Sequence, residues 1–457
     1  MSIKPNTPKG TRDFSSEVLI KRTYLKKILQ NAFESFAFEP LETPSFERLS
    51  VLTGKYGDEG DRLIFKILNS GEKLKKVDLD SLKRNDLKKF SFSLSEKALR
   101  YDLTVPLARY VSRNQNDLTF PYRRYQIQNV WRADRPQHGR FQEFCQCDAD
   151  IVGEKSLLQE IEMISLLDRV FNDINLKGVN VKINHRKIIE GIVNLTQNKN
   201  SLIDYTVSMD KLDKIGIKGV EQELKSKGFS QLSIDKIKGI VSLEGSPEKI
   251  LDKLEKNLNN SSEGLDGINE LRYIISKLNN FKFKSINIKI DLTLARGLNY
   301  YTGTIVEVMG PEKVKMGSIG GGGRYDDLTN SFGLKNMSGM GISFGFDRLY
   351  LVLEELDLFP LNINLNTELL FLNLGDESLD IALKKLNKLR SKGIICEIYP
   401  RKVKINKQLN YANKKKIPFV VIIGEQEIKN KKVTLKNMTT GNQDQILLSQ
   451  LEKSIPH

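Results

Sequence analysis

Three arginines and three aspartates fall within one short stretch, WRADRPQHGRFQEFCQCDAD, at residues 131–150. Arginine offers a planar, permanently charged fork that fits phosphate or carboxylate oxygens two at a time. Carboxylates and amides accept from ammonium groups and ring nitrogens. From Arg124 to Arg132, Tyr125, Ile127 and Trp131 point one way at the period of two expected of a strand. The stretch from Phe141 to Val152 alternates as well, with Cys145, Cys147, Ala149 and Ile151 on one face and Phe144, Gln146, Asp148 and Asp150 on the other. The intervening ADRPQHGR holds the Asp, Pro and Gly of a turn or long hairpin loop. A strand face with two carboxylates and an amide is costly to bury unless cations or hydrogen-bonding groups meet it. It is either solvated or the floor of a polar site, and both readings stand at this point.

Four segments carry such residues: LRYDLT (99–104), the stretch just described, LARGLNYYTGTIVEV (294–308), and GGGGRYDDL with GMGISFGFDRL (320–349). No GxxxxGK[ST] phosphate loop is present, and no GxGxxG opens a βαβ unit. Arginines, carboxylates and tyrosines on strands suit an amino acid plus a polyphosphate better than a hydride cofactor. The glycines at 320–323 are weak evidence for a phosphate cradle and fit better a close approach of backbone to a bound amino acid.

Several elements must position these groups. Residues 16–37 read as a long helix, with Leu25, Ile28, Leu29, Phe33 and Phe36 at helical spacing. Pro44 sits in an extended segment, at a strand edge or end. Residues 69–98 are rich in Lys and Ser with little periodicity and read as a surface excursion. Strands are predicted at 99–105, 123–132 and 143–152, a helix at 154–174, and strands again at 286–309 and 340–347. Residues 186–280 are helical and Lys/Glu-rich, as an inserted module would be. After a linker near 355–366, strands and helices alternate in a compact α/β unit ending in a hairpin and a last helix.

The 457 residues suffice for two or three domains, and 39% hydrophobic with 28% charged residues mark a globular chain. No run approaches the ~18 apolar residues of a membrane helix, and the N-terminus lacks the apolar core of a signal peptide. Three cysteines make no disulfide framework, which points to a reducing cytoplasm. Cys145 and Cys147 beside His138 lack the ligand number and spacing of a zinc site, so no metal ligand is assigned. A net charge of +15 admits a polyanionic partner, although the Lys/Asn bias runs throughout the chain.

Taken together, the segments resemble the class II aminoacyl-tRNA synthetases, and within them the histidine-specific family. PSFE with Pro44, VWRADRPQHGRFQEF and GMGISFGFDRL look like the three class motifs; LARGLNYYTG and GGGRYD look like the two signatures peculiar to the histidine family. The N-terminal PKGTRDF fits too, and the resemblance spans nearly the whole chain. It implies an α+β fold: an antiparallel sheet flanked by helices, with a helical insertion and a C-terminal α/β anticodon-binding domain. The boundaries expected are 1–185 and 284–355 for the catalytic domain, 186–283 for the insertion and 367–457 for the tail. Also implied are a homodimer built through the first motif, the cognate histidine tRNA as partner, and ATP with Mg²⁺ as substrate.

The same resemblance implies roles. Arg132 and Arg296 are the catalytic pair, Arg132 touching the α-phosphate and substrate carboxylate, Arg296 standing where other class II enzymes place a metal ion. Asp102, Thr104 and Gln146 would take the ammonium of histidine, and Asp150 and Tyr301 its imidazole, with Leu103, Tyr300 and Tyr325 completing the wall. Asp134, Arg140, Phe144 and Arg348 would hold ATP, the adenine lying between Phe144 and Arg348. Arg135, Gln137 and His138 would face the tRNA acceptor end. Some members carry Glu where this chain has Asp102 and Asp150, and many have Gly where it has Asp327. Two alternatives stay open: a catalytically silent paralogue such as the regulatory subunit of ATP phosphoribosyltransferase, and a class II enzyme for another amino acid.

Overall fold

A computed structural model describes residues 4–196, 201–295, 300–360, 363 and 367–455. The chain forms two compact units, Met1–Phe359 and Pro360–His457. The first is built on eight strands: β1 (Glu39–Pro40), β2 (Tyr122–Trp131), β3 (Glu143–Val152), β4 (Val179–His185), β5 (Ile286–Ile290), β6 (Thr304–Met309), β7 (Gly320–Tyr325) and β8 (Gly339–Gly345). Their order across the sheet is β1-β2-β3-β8-β7-β6-β4-β5. Only the outer pairs β1–β2 and β4–β5 run parallel. The rest are antiparallel.

The alternation of β2 and β3 produces a ten-residue hairpin in register from Tyr122↔Val152 to Trp131↔Glu143. One face of β3, Cys145, Cys147, Ala149 and Ile151, is buried under helices α1 (Ser16–Ser35) and α3 (Leu158–Asp173). Phe33 of α1 packs its ring 5.4 Å from Tyr125 and 5.8 Å from Phe344. The opposite, polar face of β3 is buried too, which settles the choice between solvated and enclosed.

Two expectations need correction, and the surface excursion gains detail. No strand covers 99–105: a short strand, Lys97–Leu99, ends where the expected one begins, and helix α2 (Thr104–Arg113) starts after a four-residue turn. The Asp102 carboxylate accepts the Val105 amide at 3.2 Å, a local bond that competes with extended pairing and starts the turn. Residues 71–94 contain a 3₁₀ turn and two short helices (Leu79–Lys83 and Leu87–Leu94), each helix started by an aspartate, Asp78 or Asp86, accepting a backbone N–H two residues into it. The last helix is a 3₁₀ turn, Leu448–Ser454.

Among the described residues between β4 and β5 lie six helices, α4 to α9 (Arg186–Asn194, Ser201–Met209, Leu212–Ser226, Gln231–Val241, Pro247–Asn257, Ser262–Leu278). Glu270 of α9 reaches back to buried His185 at 3.0 Å and to Lys187 at 2.5 Å. Helix α10 (Phe346–Glu355) follows β8 directly. The second unit has strands β9 (Leu369–Phe371), β10 (Cys396–Ile398), β11 (Phe419–Ile422), β12 (Lys432–Asn437) and β13 (Gln443–Leu447) in the order β10-β9-β11-β12-β13. Its longer helices are α11 (Asp376–Arg390) and α12 (Ile405–Lys414), so the basic run RKVKINKQLNYANKKK is largely a helix.

Candidate active site

The glycine run forms strand β7 itself, against its intrinsic propensity, because both edges are paired. A Cβ on Gly322 would lie 2.0 Å from the Gly341 carbonyl oxygen, and one on Gly341 2.0 Å from Asp150 Oδ1. The bare backbone of β7 and β8 therefore leaves room for the side chains of β3.

Over this part of the sheet lies a cavity of about 370 Å³. It brings together ten of the residues singled out in the sequence: Asp102, Thr104, Arg132, Asp134, Arg140, Phe144, Gln146, Tyr300, Tyr301 and Arg348. Asp150 and Tyr325 line a pit of about 20 Å³ that shares Thr104, Tyr301 and Ser343 with the cavity wall. The Leu103 side chain is buried and its carbonyl accepts from Arg124 at 3.3 Å. Arg135, Gln137 and His138 are exposed on the hairpin loop and lie outside the cavity lining. Arg296 lies outside the described residues.

The cavity has two chemically distinct ends. At one, Arg132, Arg140 and Arg348 gather three guanidinium groups. Arg348 donates to the carbonyls of Gly139 (2.8 Å) and Ser318 (2.6 Å), and burial together with Arg140 and Arg132 nearby lowers its pKa. Arg140 pairs with Asp134 at 3.1 Å. Arg132 donates to the Tyr101 carbonyl (3.1 Å) and Gln146 Oε1 (3.3 Å), with its guanidinium 4.4 Å from the Tyr101 ring centre and 5.2 Å from that of Phe144. It is thus fixed where the two ends meet.

The other end is acidic. Asp102 is buried and accepts from Tyr56 Oη (2.9 Å) and Tyr300 Oη (3.3 Å); burial raises its pKa, and its donors and Arg132 oppose that rise. Gln146 donates to Ser343 Oγ at 2.8 Å and to Asp148 Oδ1 at 3.3 Å. Burial pushes Asp148 up to about 7, with Arg124 opposing and Asp150 adding to the rise. Asp150 is raised by burial and held back by Arg124 and Tyr325. Such an arrangement can hold a polyanion beside a cationic amino acid and join them where Arg132 stands.

Tyr56, Arg124, Ser343 and Asp347 belong to this surround and were given no role in the sequence, where Asp148 was named only as part of the polar strand face. Asp148 shares the strand face of Gln146 and Asp150, and Arg124 is the register partner of Asp150, so the alternation itself carried the signal. Asp347 accepts from Arg12 and Arg22, both at 2.6 Å, and from the Cys145 amide at 2.9 Å. It thereby ties the N-terminal segment to the sheet below the site.

A family profile described as histidyl-tRNA synthetase matches residues 85–349, and one described as anticodon binding domain matches residues 359–456. The histidine–tRNA ligase of Christiangramia forsetii is 55% identical over 446 residues, 98% of this chain and 98% of its own. That of Flavobacterium johnsoniae is 50% identical with 100% of both chains covered. The crystal structure of histidyl-tRNA synthetase from Nostoc sp. PCC 7120 superposes with a TM-score of 0.79 at 32% identity, over 99% of each chain. On sequence and fold alike, along nearly its whole length, this chain belongs to the histidyl-tRNA synthetase family.

Proposed function

We propose a division of labour for the reaction of this family, the ATP-dependent attachment of histidine to its tRNA through a histidyl-adenylate, with release of pyrophosphate and AMP. The observation that carries it is the two-ended cavity, three arginines at one end and buried carboxylates with tyrosines at the other. Asp102, Thr104 and Gln146 take the substrate ammonium, and the imidazole enters the pit of Asp150, Tyr301 and Tyr325, with Tyr300 and Leu103 supporting the wall. Adenine lies between Phe144 and Arg348, Asp134 near its amino group and Arg140 along the phosphates. As the histidine carboxylate attacks the α-phosphorus, Arg132 meets the developing charge, and Arg296 supplies a second cation there.

Mg²⁺ enters with ATP. Among the described residues no three His, Cys, Asp or Glu groups cluster as a metal site, and Asp134 is already engaged by Arg140. The exposed Arg135, Gln137 and His138 face the acceptor end of the tRNA, and the basic α12 of the tail contributes to its anticodon side. A homodimer forms through the surface around Pro44 and the half-exposed Phe46, beside a groove of about 680 Å³. Sedimentation should show a dimer, and a fully active monomer would sink that assignment. A cytoplasmic location fits three buried, unbridged thiols; no described helix is long and apolar enough to cross a membrane.

The decisive test is amino-acid-dependent ATP–pyrophosphate exchange across all twenty amino acids, with Arg296→Ala alongside. Exchange with histidine alone, lost in the variant, is expected. Exchange that survives in Arg296→Ala would remove that arginine from the chemistry.

A further inference from the structure

The polar face of β3 holds more charge than the reaction just described employs. Arg124 on β2 stands directly across from Asp150 and is fully buried. Its Nη2 lies 2.9 Å from Asp150 Oδ2 and 3.3 Å from the Leu103 carbonyl, while Nε and Nη1 have no hydrogen-bond partner. The other oxygen of Asp150, Oδ1, accepts from Tyr325 Oη at 2.8 Å. One step along the strand face, Asp148 is buried beside Gln146 and lines the same pit. One interior cation thus serves two interior carboxylates. A buried guanidinium with two idle donors is costly to maintain for packing alone.

We propose that Arg124 is a positioning residue for histidine selection: it aims Asp150 into the pit and keeps that carboxylate an acceptor for an imidazole N–H while a second carboxylate, Asp148, stands beside it. This rests on the reading that the pit receives the imidazole.

The groups facing Asp150 come from four directions: Arg124 on β2, Asp148 and Gln146 on β3, Tyr325 on β7, and Tyr301, with Ser343 on β8 reaching Gln146 at the neighbouring position. Among the described residues, Arg124 is the single cation of this group. Burial drives both carboxylates toward the protonated form, and Arg124 opposes this at each. Without that cation the two acids hold their protons to higher pH, and a protonated Asp150 no longer presents two acceptor oxygens.

The test measures KM for histidine, KM for ATP and kcat in pyrophosphate exchange between pH 6.5 and 9. Wild type, Arg124→Met, Arg124→Lys, Asp150→Asn and the double variant Arg124→Met/Asp148→Asn are compared. In Arg124→Met, KM for histidine should rise about tenfold or more at pH 7 and recover as pH increases, with KM for ATP within about twofold. Removing Asp148 as well should restore part of the lost affinity at pH 7, because one buried negative charge leaves with the positive one. Should Arg124→Met fail to fold, Arg124→Lys carries the test: its charge should keep the pH profile flat, while a shifted cation that no longer bridges Asp150 and the Leu103 carbonyl raises KM for histidine about threefold. A KM for histidine that stays at the wild-type value in the Arg124 variants, or that rises equally at every pH in Arg124→Met, overturns the proposal. Asp150→Asn separates the two levels of inference. If it raises KM for histidine while the Arg124 variants do not, only the role of Arg124 fails; if it changes nothing, the reading of the pit fails.

Discussion

Arg132→Ala is expected to lower kcat for histidine-dependent pyrophosphate exchange by about 10³-fold, close to 4 kcal/mol of transition-state stabilisation. The guanidinium is oriented before substrate arrives, by the Tyr101 carbonyl, by Gln146 and by the Tyr101 ring beneath it. No reorganisation is therefore needed when charge builds up at phosphorus, and the interaction strengthens in the transition state instead of being spent on ground-state binding. The loss should fall on kcat, with KM for ATP and histidine changing by less than about tenfold. Arg132→Lys should recover little, because a point charge on a flexible stem cannot serve two oxygens in one plane. A variant that keeps more than about a tenth of wild-type kcat would remove Arg132 from the centre of the mechanism.

The second large effect falls on stability. Asp347→Ala should cost about 3–5 kcal/mol, read as a lower midpoint in urea unfolding. Asp347 is 4% exposed and is the shared partner of Arg12 and Arg22, the latter itself 7% exposed with its guanidinium 4.2 Å from the Phe14 ring and 4.7 Å from that of Phe346. Removing the carboxylate leaves that cation buried without compensation and orphans the Cys145 amide as well. Asp347→Asn keeps an acceptor for the amide and should fall between wild type and alanine. A loss below about 1 kcal/mol in Asp347→Ala would mean that the two arginines find other partners.

How far the molecule can be read from its sequence depends on the range of each interaction. The hairpin of β2 and β3, the long first helix, the helical insertion and the α/β tail were all visible, because apolar periodicity is a local signal. The fate of the polar face of β3 was not: whether Gln146, Asp148 and Asp150 meet water or Arg124 depends on the register of β2 and β3 and on the cover supplied by β8. The turn at Asp102 escaped for the opposite reason, since a bond to an amide three residues away overrides an extended pattern. The strand of glycines exists only because Thr304–Met309 and Gly339–Gly345 pair on either side of it. Roles for individual site residues came from family resemblance; from chemistry alone the sequence offered an amino acid beside a polyphosphate. The fold brings the arginines and the acidic face into one cavity, and it exposes Tyr56 and Arg124, which no motif had marked, and Asp347, which the third motif contained without a role.

The sheet order also bears on how the chain is made. Strand β3 ends at Val152, yet its neighbour β8 begins only at Gly339, about 190 residues later. A ribosome adding about 5–20 residues per second takes roughly 10–40 s to bridge that gap. Throughout this interval β3 has one open edge, with Asp148 and Asp150 lacking the cover that β8 later supplies. The helices between β4 and β5 emerge during the same window, and their Ile234, Leu251 and Leu271 are buried in the same apolar cluster as the sheet. Synthesis thus places these helices in the middle of a half-built sheet, whose open edge closes only when residue 345 is out. Slowing translation between codons 153 and 339 should therefore lower the yield of soluble enzyme more than slowing it anywhere downstream.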